Sequence, residues 1–141
     1  MTEPLQESAA DDWQTFLTDL ARAADLCLKP WRHALRFSGQ SPGRIGDSSD
    51  CCLLIEARDA DGQRCPDRDL ELEIYRSGSD LNLMLTWIAD EQAPMLWHGN
   101  HPVWMQTDTG ERCERPHDGA PLEALARRVR ALLVSADPAD R

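Results

Sequence analysis

Four side chains in the last third of the sequence have the types and spacing of a zinc site. His98 and His101 form an H-x2-H pair, and Cys113 and His117 a C-x3-H pair. Zinc takes imidazole and thiolate ligands in a tetrahedron, and short loops between paired ligands are a common way for a chain to supply them. If Gly99-Asn100 is a two-residue turn, with glycine at the first central position of a type II′ geometry, His98 and His101 sit across from each other on one face. A two-residue Thr109-Gly110 turn would pair Cys113 with Gln106 and aim the thiol away from His98; a three-residue turn would reverse it. The plainer reading is of loop histidines and one strand cysteine. Zinc is thus an alternative, and the expectation is no cofactor.

The cysteines suggest little chemistry. Cys51 and Cys52 are adjacent, and Cys27, Cys65 and Cys113 complete an odd set of five. A reactive thiolate needs a cation or a helix N-terminus beside it, whereas Asp47 and Asp50 precede the adjacent pair. One of the two should point inward as a small hydrophobe. Cys113 has the better neighbours in Arg112, Arg115 and His117. An odd count without a spaced framework fits free thiols in a reducing compartment.

Charge is uneven along the chain. Residues 31–46 contain Arg32, Arg36 and Arg44 and no acid, with Trp31 and Phe37 interleaved. This strip is a candidate for binding an anion or an acidic partner segment. Its competing role is to face Glu71 and Glu73 across a sheet. Asp59, Asp61, Asp67 and Asp69 lack the spaced ligands and distal glutamate of a calcium loop, so they read as turn residues. No nucleophile elbow, phosphate loop or dinucleotide fingerprint occurs in the sequence.

Five tryptophans are many for this length. The two-residue turn at Gly99-Asn100 places Trp97 and Trp104 with Met95 and Pro102 on one hairpin face. Tryptophan and methionine are favoured at protein contacts, although packing under a terminal helix would make the same face core.

The elements that must position these residues follow from periodicity. Trp13, Phe16, Leu17, Leu20 and Ala24 recur at helical spacing. Ser8 with Asp11 predicts a capping pair, and Pro30 stops the helix. Trp31 to Phe37 alternates as a strand, and residues 38–50 form a Gly/Ser/Asp loop. Strands follow over Cys51 to Arg58, Leu70 to Tyr75 and Leu81 to Ile88, the last two joined as a hairpin. Met95 to Cys113 supplies two further short hairpins. Pro121 opens a final helix with Leu122, Leu125, Ala126, Val129, Leu132 and Leu133 in one stripe.

The expected fold is α+β: an N-terminal helix, an antiparallel meander of five to six strands and a C-terminal helix. Both helices cover one sheet face in a two-layer arrangement. Residues 8–135 form one domain between an acidic tail, 1–7, and a polar tail, 136–141.

Composition narrows the function. The 141 residues are 41% hydrophobic and 28% charged, the profile of a globular domain. Asp plus Glu number 25 against 15 Lys plus Arg, a net charge of −10. Nucleic-acid binding is disfavoured, because phosphate contacts need clustered cations. No apolar run reaches the roughly 18 residues of a membrane helix, and the acidic start is unlike a signal peptide, so the expected location is the cytoplasm.

Together these point to a small acidic protein-binding module of the adaptor or assembly-chaperone type, a monomer or homodimer, whose partner has a basic surface. Its contact surface would be the sheet face left open, with Tyr75, Met84 and Ile88, and the neighbouring hairpin with Trp97 and Trp104. The alternatives are a metal-binding protein or metal-dependent enzyme using His98, His101, Cys113 and His117, and a structural subunit of a larger assembly.

Overall fold

The computed structural model describes residues 5–39, 50–77 and 80–136. Among these, helix α1 spans Leu5–Cys27 and is followed by strands β1 (Arg32–Phe37) and β2 (Cys51–Arg58). A 3-10 turn at Pro66–Arg68 leads to β3 (Leu70–Ser77), β4 (Asp80–Trp87), β5 (Met95–His98), β6 (Pro102–Met105) and β7 (Arg112–Cys113). Helix α2 spans Ala120–Ala136. The strands form one sheet in chain order, β1 to β7, and each pairs antiparallel with the next. This is the α+β meander between two helices that the periodicity implies, with the two-residue β7 as a seventh strand. Helix α1 starts at Leu5, so Ser8 lies within its first turn and the expected Ser8–Asp11 cap is not its start.

Alternation decides which face is core. Leu53 and Ile55 of β2, Leu72 of β3 and Leu83 of β4 are fully buried, as are Leu20 of α1 and Leu125 and Val129 of α2. Both helices contribute to that one cluster, and each packs on the other, α1 also on β1 and α2 also on β4 and β5. Trp13 meets Phe16 and Phe37 edge-on at 5.5 and 5.2 Å, the favoured aromatic geometry. The buried ring of His33 lies 2.9 Å from Asp25, a second tie between α1 and β1.

The connection between β2 and β3 is organised by acids. Asp59 Oδ1 accepts from the amides of Asp61 and Gln63 at 2.9 and 3.0 Å, and Gly62 takes the left-handed conformation at φ +85°. Buried Asp69 accepts the Ala57 amide at 2.7 Å and both Nη atoms of Arg64 at 2.9 and 2.7 Å. Burial alone would raise this carboxyl. The Arg64 fork and the Ala57 amide outweigh it and hold the group below its ordinary 3.8.

Candidate protein-contact face

The face of the sheet turned away from the helices carries a contiguous run of half-buried apolar side chains. Register fixes its membership. Met84 pairs with Glu73 on one side and Trp97 on the other. Trp97 in turn pairs with Val103, and Met95 with Met105. Cross-strand partners point the same way and residues two apart share a face, so Met84, Met95, Trp97, Val103 and Met105 form one block across β4, β5 and β6. All five are half-buried, and none packs against the helix-side core. Glu71 and Glu73 of β3 border the block on one side, and Arg112, paired with Met105, on the other.

Trp97 is held in place. Its indole N–H donates to the Tyr75 hydroxyl at 2.7 Å, so the ring spans β4 to reach β3. Its six-membered ring passes over Gly99, where a Cβ would stand 2.7 Å from Trp97 Cη2 and 3.2 Å from Asn82 Oδ1. Only glycine leaves that space free.

The hairpin between β5 and β6 differs from the expected one, with consequences for several residues. His98 pairs with Pro102, leaving a loop of three residues, 99–101. The two-residue type II′ turn is therefore absent, and Gly99 has no positive φ. Adding one residue to the loop moves every downstream side chain to the other face. Trp104 now pairs with Leu96 instead of sharing a face with Trp97. It is 4% exposed, and its indole N–H donates to Glu123 Oε2 of α2 at 2.7 Å. Trp104 is core, not contact surface. Tyr75 and Met84 do lie on the open side as diagonal neighbours, but Ile88 is set apart from them. Tyr75 joins the block through Trp97, whereas Ile88, 45% exposed, follows the end of β4 about 13 Å from Met84 by strand rise.

The same register sets His98 and Cys113 on the helix side and leaves His101 and His117 exposed away from them. His98 faces the helix side and is 5% exposed, while His101 is exposed in the loop. Cys113 pairs with Trp104 on the helix side, because four residues, 107–110, separate the bonded Gln106 and Glu111. His117 is exposed in the segment before α2. Among the described residues no three His, Cys, Asp or Glu side chains are grouped to hold a metal ion. Burial pushes the His98 imidazole below its ordinary 6.5. Arg130 and Arg127 act in the same direction, and the Gly99 carbonyl and Glu123 oppose them. Its Nδ1–H donates to the Gly99 carbonyl at 3.0 Å.

The arginines answer a different acid from the one expected. Arg36 Nε lies 3.2 Å from Glu56 Oε2, and Arg58 and Arg64 each lie 3.8 Å from the same carboxylate. Arg32 is exposed opposite Arg58 on β2, and Arg44 lies outside the described residues. Glu56, on the strand next to β1, takes the place expected for Glu71 and Glu73, which are a strand further away. Arg68 instead stacks between Trp31 and Trp87 at 5.6 and 4.8 Å, a cation–π pairing.

All five cysteines are free. Cys51 is core, as expected for one of the adjacent pair, and burial pushes its thiol up to about 12. Burial and the neighbouring Glu71 carboxylate push Cys52 up to about 11. Both are poor nucleophiles at neutral pH.

Val103 and Met105 were not singled out by sequence patterning. The signal was the alternation Val103-x-Met105 beside Met95-x-Trp97, which marks a shared face only once the hairpin register is known. Among the described residues no helix is long and apolar enough to cross a membrane. No curated protein and no solved structure shows significant similarity to the chain. Residues 17–132, from α1 to α2, match a domain of unknown function (DUF8659), and the chain belongs to that family.

Proposed function

We propose that this protein is a non-enzymatic, cytoplasmic protein-binding module of the adaptor or assembly-chaperone type, and that the open sheet face is its contact surface. The observation that carries this reading is the block of Met84, Met95, Trp97, Val103 and Met105, set on the side that neither helix covers. Burying one such side chain from full exposure yields roughly 1.5–3 kcal/mol; these five start half-buried, so a partner gains part of that from each and must cover several to offset the cost of association. Tryptophan and methionine are enriched at such contacts, and the Tyr75 hydrogen bond pre-positions the indole. Glu71 and Glu73 along one border, with the net charge of −10, favour a partner that sets cationic side chains along the β3 side of an apolar centre.

The test replaces Met84 with a photo-crosslinking residue in cells and compares the native chain with the M84S/M95S double variant. One partner should be captured in stoichiometric amount and should bind the double variant more than tenfold more weakly, about 1.4 kcal/mol. The melting temperature should be nearly unchanged. Unaltered partner binding by a folded double variant would sink this reading.

A further inference from the structure

We infer that the occupant of this face is a basic amphipathic helix of another protein, recognised by its apolar stripe and charge pattern and not by one fixed side-chain sequence. This rests on the protein-binding reading above and names the partner class. Every methionine after Met1 lies on the open face. The large, fully buried side chains of the core are leucine, isoleucine and valine. Branched residues with few rotamers specify one packing. Methionine has three rotatable bonds and a polarizable sulfur, and it re-packs against differing shapes, as promiscuous binding surfaces require. The segregation therefore separates a unique interior from an adaptable exterior.

Charge and dimensions select the helix. Glu71 and Glu73 share a side of β3 and stand about 6.7 Å apart by strand rise. Cations at i and i+4 on a helix are spaced about 6 Å along its axis, so two such side chains can meet the two carboxylates together. Four-residue β5 and β6 extend about 13 Å, matching roughly nine helical residues with apolar positions at i, i+3 and i+7. A helix satisfies its own backbone groups. An extended segment laid across methionine side chains would leave amides and carbonyls without partners. A second copy of this chain would bring a net charge of −10 against the same acids.

The probe is a labelled 18-residue helical peptide with leucine along one stripe and lysines at i and i+4 along one side of it, titrated in 150 mM salt and followed by fluorescence anisotropy. Binding should survive exchange of the leucines for methionine or phenylalanine within about fivefold. It should weaken more than tenfold when the lysines become glutamate, when prolines break the helix, or when the protein carries E71Q/E73Q. In native protein labelled at the methionine methyls, the signals of Met84, Met95 and Met105 should shift on titration. Absence of those shifts, or equal binding by the proline-broken peptide, overturns the helix inference. If the peptide fails while the cross-linked partner still depends on Met84 and Met95, the contact face stands and its helical occupant does not. A concentration-dependent dimer lost in M84S/M95S assigns the face to a second copy and overturns the inference.

Discussion

The indole of Trp97 reaches from β5 across β4 to the hydroxyl of Tyr75 on β3, and the 2.7 Å bond between them holds this half-buried ring of the open face in one orientation. The arrangement depends on a missing atom, since a side chain at Gly99 would occupy the place of the ring.

Gly99→Ala should therefore displace Trp97. The indole N–H signal of Trp97 should move toward that of a solvent-bonded indole in a heteronuclear NMR spectrum. Overpacking of this kind costs about 1–3 kcal/mol in a rigid core, and the half-exposed ring should relax toward the lower end. Tyr75→Phe should move the same signal with a smaller stability change. An unmoved signal in both variants would mean that the Trp97–Tyr75 bond is absent in solution.

Leu83 is fully buried between the sheet and the helices. Leu83→Ala should cost on the order of 2–5 kcal/mol in urea denaturation. Met84→Ala, one residue along and on the other face, should cost much less. Equal losses would show that both faces are covered.

Asp69 links β2 to the start of β3 through Ala57 and Arg64. Its carboxyl lies below the ordinary 3.8 in the folded chain, so folding is favoured while the group is ionised. That contribution is complete above about pH 4 and is lost as the pH falls through the folded value. Asp69→Asn should cost about 1.5–3 kcal/mol at pH 7, the range for hydrogen bonds to a charged group. The difference from the native chain should shrink in acid. A difference that stays constant to pH 2 would exclude the ionised carboxylate as its source.

His98 carries the second pH dependence. Its folded value lies below the ordinary 6.5, so below pH 6.5 the unfolded chain takes up the proton first. Stability is complete above that pH and declines as the pH falls toward the folded value. His98→Asn retains a donor toward the Gly99 carbonyl and cannot titrate. Urea midpoints measured between pH 7.5 and 5 should decline more steeply for the native chain than for H98N. Parallel curves would show that the imidazole is as free to protonate as in water.

Most of the fold was legible in the residues themselves. Alternating leucines along β3 and β4 and helical stripes in α1 and α2 each identify a buried face with no knowledge of their neighbours, because period 2 and period 3.6 are local properties of the backbone. The same alternation places Met84 and Tyr75 opposite the core. Free thiols, the turn role of Asp59 and one inward member of the Cys51–Cys52 pair follow from equally local chemistry. Asp69, read as a turn residue, is instead a buried carboxylate held by Arg64 and the Ala57 amide.

The β5–β6 hairpin is where local reading stops. Glycine and asparagine at 99 and 100 are compatible with a two-residue turn, and nothing within the loop excludes it. The three-residue loop is selected from outside by packing. Trp104 enters the core against Leu96 and finds Glu123 on α2, while Trp97 turns outward to Tyr75 and over Gly99. One residue of register exchanges core for surface along the hairpin. The sequence by itself determined the element order and the two apolar stripes. Only the tertiary structure decided which tryptophan is core, that Val103 and the three methionines share one face, and that the histidines stand apart, because those choices depend on contacts between segments distant along the chain.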